Sequence, residues 1–448
     1  MTVCDSTADV DEWFRDARAL QIWGFPLVFA QRLRLRFTSP LEPHVDRPLT
    51  SAGAALNTMG HQRRLSDPTL TAGVAPNVDT LYSLAFVDLD AGSVALRMPD
   101  LGDRYYSVQI GEADSTTIAV QGQRTHGSRL PTLRIARAGS EVVTADDELL
   151  VACRTRHVMV AVRILVRPDD AEDLRRVIAL QDSIVLDGPP APGPAGDAAT
   201  RALVLRERDD ELRDPEGFLD SLDHAVAGVA TADVPPVVRE SMARLRGALH
   251  TGEQSTRARS QFAAGLSDGL DAIADRVGSL GRTTNGWSVN ELGTDFGDDH
   301  LLRAAVALSQ IYVNPADEAL YPVCEVDEGG HQLSGEHSYD ITFAADRMPP
   351  ARFFWSLTVY HKRGLLCQNA IDRYAITDRT PGLTMADDGS LVVRLATTAP
   401  AEGAGNWLPT PSGDFRLMLR LYGPSDRGWS PPVVRRMSGG SSTTVGHR

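Results

Sequence analysis

A mixed, mainly β fold is what this sequence predicts: two modules of antiparallel strands bridged by a helical segment. Three observations carry the prediction. Apolar residues alternate with period two through residues 79 to 167, helical periodicity and high charge replace that pattern over 199 to 280, and the period of two returns from residue 320. Strands do not alternate regularly with helices, which argues against a doubly wound parallel sheet. No repeat of roughly 20–50 residues is evident.

In chain order, Trp13, Phe14, Ala17, Leu20 and Phe25 recur at helical spacing over residues 9 to 36, with Asp11 as N-cap. Pro26 should kink or break this helix near Gly24-Phe25, because proline has no N–H to give and its ring crowds the preceding turn. Residues 37 to 75 are polar and turn-rich. The run Pro76-Asn77-Val78-Asp79-Thr80-Leu81-Tyr82-Ser83 then opens a strand continuing through Leu84-Ala85-Phe86-Val87-Asp88-Leu89. Asn77, Asp79 and Leu81 share one phase of the alternation; Thr80 and Tyr82 share the other. Further strands are expected at Ser93–Arg97, Tyr105–Ile110 and His157–Val162, a spacing that fits an antiparallel sandwich or barrel.

Proline and glycine mark residues 187–198 as a linker. Helices are expected at Arg239–His250, Ser260–Leu280 and Asp299–Ile311, the last capped by Asp299. Strands return at Ser338–Phe343, Phe353–Tyr360, Leu391–Leu395 and Phe415–Tyr422. The implied division is an N-terminal helix with loops (1–75), a first β module (76–186), the linker (187–198), a helical segment (199–315), a second β module (316–437) and a disordered tail (438–448).

The 42% hydrophobic content is enough to build sizeable cores, and no apolar run approaches the ~20 residues that span a bilayer. A net charge of −14 disfavours nucleic acid and anionic membranes as partners. The four cysteines are scattered without a CxxC pair, so neither a zinc site nor a disulfide framework is indicated. With no basic-then-apolar segment after Met1, a cytoplasmic location is expected. Self-association is left open.

Most motifs that carry chemistry are missing. No glycine-rich dinucleotide or P-loop signature, nucleophile elbow or HExxH helix is present. His331 and His337 flank Glu336 in a glycine-rich turn that reads as a solvated loop, and Asp209–Asp214 reads as a charged helix face. No metal or other cofactor is therefore expected.

Two polar-aromatic regions stand out. The first is the Asn77–Tyr82 run together with Asp103-Arg104-Tyr105-Tyr106-Ser107-Val108-Gln109. The second runs from Phe353 to Tyr360, then through Asn369-Ala370-Ile371-Asp372-Arg373-Tyr374 and Asn406-Trp407-Leu408-Pro409 to Leu419-Arg420-Leu421-Tyr422-Gly423-Pro424. In it, Trp355, Leu357 and Val359 share one face, and Phe354, Ser356, Thr358 and Tyr360 the other. Packing accounts for any one of these residues, and Arg373 and Arg420 can pair with Asp372 or Asp378. Burying Asp79, Tyr82 and Arg104 together without a purpose would be expensive.

At these motifs, with Asn285-Gly286-Trp287 and Asp299-His300-Leu301-Leu302-Arg303-Ala304, the chain resembles the large bacterial family built from two domains of unknown function, the 1254 type followed by the 1214 type. The likeness covers about residues 15 to 435 and implies two β-sandwich, jelly-roll-like modules bridged by helices. It implies no reaction. The chain departs from the usual pattern at Val78, where relatives carry a second asparagine, and at Gly111-Glu112-Ala113-Asp114-Ser115-Thr116-Thr117, where they carry an asparagine-rich aromatic stretch. An export signal, common in relatives, is not seen. These departures suggest a specialised biosynthetic role.

The expected function is a cofactor-independent enzyme acting on a small, largely apolar organic substrate by acid/base chemistry: a cyclase, isomerase, lyase or hydrolase. Asp79, partly buried with a raised pKa, would give or take the proton, while Tyr82 and Arg104 orient substrate or stabilise charge. Asn77, His61, Tyr106, Gln109, Trp355, Tyr360, Arg373 and Trp407 would bind substrate. The alternatives are a non-catalytic protein binding a sugar or lipid-like ligand, and a structural protein whose signatures only stabilise its modules.

Overall fold

A computed structural model describes residues 8–38, 47–70, 75–190, 212–250, 254–294, 296–401 and 403–437. The tail at 438–448 and most of the linker lie outside these residues. Helix and strand are nearly balanced, at roughly 29% and 28%, so the fold is mixed rather than mainly β. Four sheets, mostly antiparallel and neither closed nor curled, are joined by helices.

The first module pairs a five-stranded sheet with a four-stranded one. The larger sheet runs in the order Gly60–His61, Thr80–Asp88, His157–Leu165, Tyr106–Glu112, Thr117–Gly122. Leu81, Ala85 and Val87 on one strand and Val158, Val160 and Val162 on another turn to one face. There they meet Val94, Leu96, Leu133 and Ile135 of the smaller sheet in a shared core. Period-two alternation sends their neighbours to the opposite face.

The second module repeats the scheme with a seven-stranded and a four-stranded sheet. Ala351–His361 and Phe415–Pro424 are the long central pair of the larger sheet. Trp355, Leu357, Val359, Leu417, Leu419 and Leu421 face the core, against Tyr339, Ile341, Phe343, Leu391, Val393 and Leu395 of the smaller sheet. Phe354, Ser356, Thr358 and Tyr360 lie on the other side, as the alternation predicts.

Helix Ala8–Thr38 contains both Asp11 and Pro26, so Asp11 is not its cap and Pro26 does not end it. Tertiary packing overrides the local cost of proline. The helix lies against Gln254–Val277 and packs with Pro215–Val226, Pro236–Leu249 and His300–Gln310 around one apolar cluster that includes Leu20, Phe25, Phe218, Phe262 and Leu266. Asp299 caps the last of these helices by accepting from the Leu302 N–H at 2.9 Å. Two further helices were not legible as such: Ala171–Asp182, capped by Asp170, and Pro215–Val226, capped by Asp214. Among the described residues, no helix is long and apolar enough to cross a membrane.

Gly265 marks a close approach of the first helix to Gln254–Val277. A Cβ there would strike the Phe14 carbonyl oxygen and the Ala17 side chain. Gly265→Val should therefore force the two helices apart and cost about 1–3 kcal/mol in denaturant unfolding; an unchanged midpoint would contradict this packing.

Candidate functional site

The outer faces of the two large sheets meet across a cavity of about 780 Å³. From the first module, register sets Tyr82 opposite Arg163, Leu84 opposite Ala161 and Phe86 opposite Met159, and all six side chains line the wall. From the second, Met418, Arg420 and Tyr422 alternate onto the same wall. The helix His300–Gln310 and the residues after it contribute Gln310, Ile311, Tyr312, Val313, Asn314 and Tyr321, and the N-terminal helix adds Leu33, Arg36 and Phe37. Gly111 permits the approach of Tyr312, because a Cβ at that position would collide with the tyrosine ring.

The wall is divided chemically. Leu33, Phe37, Leu84, Phe86, Met159, Ala161 and Ile311 form its apolar part. Its polar part includes Asn77, Tyr82, Arg163, Asn314, Tyr321, Arg420 and Tyr422, with Arg36 and Arg47. The Arg163 guanidinium, only 8% exposed, donates from Nε to the Tyr82 hydroxyl at 3.0 Å and from Nη2 to Gln109 Oε1 at 2.7 Å. Its Nη1 is buried and has no partner among the described residues. The Arg420 group, 2% exposed, donates to Thr358 Oγ1 at 3.0 Å, to the Ala75 carbonyl at 2.8 Å and to the Tyr360 hydroxyl at 2.7 Å. Asn314 donates to the Tyr321 hydroxyl at 2.6 Å, and its amide oxygen is buried without a partner among the described residues.

Electrostatics follow from this geometry. Burial pushes the Tyr82 phenol up, but the Arg163 charge and hydrogen bond, with Arg420 and a bond from Asn77, outweigh it and hold the phenol below the ordinary tyrosine value. The neighbouring Tyr422 lacks that advantage: burial first, then Tyr321 and Tyr82, drives it well up.

The signature run Pro76–Asp79 acts as a clasp between the modules. Tyr360 donates its hydroxyl to the Pro76 carbonyl at 2.7 Å, Asn77 donates to the Tyr422 hydroxyl at 2.9 Å, and Ser356 donates to Asp79 Oδ2 at 2.5 Å. Arg379 stands 3.5 Å from Asp79 Oδ1 while lying over the Phe354 ring. Val78, one of the departures from the family pattern, packs with Tyr360 and Leu366.

Of the residues expected to act, Tyr82 and Asn77 are on the cavity wall. Asp79 is 2% exposed, is spent in the clasp and does not line the cavity. Arg104 is off the wall as well; it clamps Asp173 with both guanidinium nitrogens and donates to the Leu165 carbonyl at 2.7 Å. Tyr106 is sealed in the first core, its hydroxyl donating to the Gly127 carbonyl and pushed up to about 12 by burial. Gln109 and Tyr360 stand behind the wall and hold Arg163 and Arg420. His61 contacts Ser83 Oγ through Nδ1 at 2.8 Å, away from the cavity. Trp355 is core, packed on Phe343. Trp407 donates its ring N–H to the Ala396 carbonyl at 2.9 Å. Arg373 pairs with neither expected aspartate and instead donates to the carbonyls of Ala404, Gly405 and Trp407; Arg420 likewise bonds only neutral groups. Arg163, Tyr321 and Asn314 stand on the wall outside the two polar-aromatic regions of the sequence, although an arginine inside the apolar run Val160-Ala161-Val162-Arg163-Ile164 is a readable signal.

A second cavity of about 860 Å³ lies beside His331 and His337. Its lining residues Glu328, His331, Glu336, Thr398 and Arg436 are exposed. Arg394 is already paired with Asp340, and Arg436 donates to His337. No group of histidine, cysteine or carboxylate side chains able to hold a metal occurs among the described residues. Buried polar groups without partners favour the cavity between the modules, although it is the smaller of the two.

A family model described as a protein of unknown function (DUF1254) matches residues 56–188, and one described as a protein of unknown function (DUF1214) matches residues 318–426. No curated protein matches the chain. The crystal structure of the VPA0106 protein from Vibrio parahaemolyticus superposes with a TM-score of 0.67 at 18% identity, over 96% of this chain and 100% of that one, and so shares the fold. An uncharacterized protein from Burkholderia cenocepacia gives a TM-score of 0.45 at 13% identity, over 96% of this chain and 95% of that one.

Two measurements check this geometry. Asp79→Ala removes the acceptor of the buried Ser356 hydroxyl and should cost about 1–3 kcal/mol in denaturant unfolding; no loss would contradict the clasp. Burial, aided by the Arg63 charge, lowers His61 from 6.5 to about 4, and burial with Arg34 lowers His157 to about 3. The unfolded chain therefore takes up protons first as pH falls, and stability should decline from pH 6.5 downward. His61→Gln should flatten the decline between pH 6.5 and 4; an unaltered slope would place the loss elsewhere.

Proposed function

Because the chain belongs to the family in which a DUF1254 domain precedes a DUF1214 domain, we propose that it shares that family's paired modules, each a jelly-roll-like sandwich, and is an enzyme. Its substrate is a small, largely apolar organic molecule held in the cavity between the modules. Tyr82, rather than Asp79, moves the proton. The observation that carries this reading is the Tyr82–Arg163 pair: a phenol on the cavity wall, hydrogen-bonded at 3.0 Å by a buried guanidinium and held below its ordinary value.

In its ionised form the phenol takes a proton from the substrate, and Arg163 stabilises charge on both sides of the transfer. Its Nε bonds the tyrosine oxygen, and its free Nη1 meets the negative charge left on the substrate. Return of the proton at a second atom gives isomerisation, loss of a leaving group gives elimination, and internal attack gives cyclisation. Hydrolysis uses the same pair with water as the proton source. Support for a specialised substrate comes from the departure at residues 111–117: Ser115 Oγ accepts the Tyr312 N–H at 3.1 Å, so this stretch helps to set the cavity wall.

A non-catalytic binding protein is the second reading. It is favoured by a wall that, among the described residues, has no carboxylate, imidazole or thiol and leaves only phenols to transfer protons. Incubation of the protein with a bacterial small-molecule extract, followed by mass spectrometry, separates the two. Catalysis should consume some species and form others, at rates reduced about 100-fold or more by Tyr82→Phe. Equal turnover by the variant would overturn the role of Tyr82, and species retained without change in mass would support binding alone.

A further inference from the structure

We propose that the ligand of the inter-module cavity is an amphipathic anion, an apolar body bearing one oxyanion such as a carboxylate or a phosphate, with the oxyanion held at Arg163. The inference rests on reading the cavity as a small-molecule site and adds the chemical class of the molecule.

The argument begins with a contrast of charge. The chain carries −14 overall, yet among the described residues the lining contains four arginines, Arg36, Arg47, Arg163 and Arg420, and no aspartate or glutamate. A guanidinium keeps its charge in any protein environment, so burying one without a counter-ion is costly. Arg420 uses its donors on Thr358, Tyr360 and the Ala75 carbonyl. Arg163 does not: its Nη1 is enclosed and has no hydrogen-bond partner among the described residues, and its side chain, more than nine-tenths buried, lines the cavity. Arg47 repeats the pattern nearby, with Nη1 on the Arg36 carbonyl at 3.4 Å and a buried Nη2 without a partner among the described residues. These groups are matched by an oxyanion and left unmatched by a neutral apolar molecule.

The remaining wall sets the body of the ligand. Leu33, Phe37, Leu84, Phe86, Met159 and Ile311 offer only apolar contact, and the volume of about 780 Å³ suits a ligand of metabolite size. Arg36 is exposed, whereas Arg163 is deep. The anion therefore meets positive charge along its route, a gradient that favours its capture from solution.

Isothermal titration of the full chain with decanoate, decyl phosphate, decanol and decylamine tests this. One or both anions should bind at least about tenfold more tightly than decanol, and decylamine should bind most weakly. Arg163→Gln should bring the anions to within about threefold of decanol, and Arg163→Lys should restore part of the preference. Should Arg163→Gln fail to fold, the four-probe series on the unaltered protein decides alone. Decanol binding as tightly as the anions would overturn the anionic class and leave the proposed proton chemistry standing. Failure of all four to bind would overturn this inference and the reading of the cavity together.

Discussion

Two guanidinium groups that cannot give up their charge are enclosed between the outer faces of the large sheets, and among the described residues neither forms an ion pair with a carboxylate. The surrounding structure is organised around that constraint. Phenols, hydroxyls, an amide and a carbonyl replace the water each arginine has lost, and those groups come from both modules. Arg420 of the second module reaches the Ala75 carbonyl of the first, and Asn77 of the first reaches Tyr422 of the second. Satisfying the arginines and docking the modules are thus one physical problem.

This coupling explains why the Pro76–Asp79 run is so polar. Its backbone and side chains have partners across the module boundary, and Asp79 is the acceptor that fixes Ser356. Further along the same boundary, the Tyr105 hydroxyl donates to Glu318 at 2.6 Å, and Arg124 closes on the same carboxylate. The cavity lies among these tethers, so the relative placement of the modules sets its shape. A ligand making contact with both walls would stabilise the docked arrangement by mass action.

Local patterns in the sequence located much of this. Alternation put Trp355, Leu357 and Val359 on one face and Ser356, Thr358 and Tyr360 on the other, because a sheet with one face in a core leaves little freedom of register; packing against the smaller sheet makes the first of these the core face. It also singled out Asn77 and Tyr82. What it could not supply was the partner of each buried charge. Arg104 and Arg163 both belong to the first module; one meets Asp173 and becomes a clamp, while the other meets a phenol and a cavity. That difference arises from packing between residues distant in sequence. Pro26 is a parallel case, where the weak local rule yields to the helices packed around it.

The central claim is that Arg163 is held in readiness for an acidic ligand. A crystal structure of the protein soaked with decanoate tests it most directly. The account expects a carboxylate oxygen about 2.6–3.2 Å from Arg163 Nη1, with the chain lying along Leu84, Phe86 and Met159. An Arg163 side chain turned to another protein partner, with the decanoate elsewhere or with its carboxylate facing solvent, would contradict it.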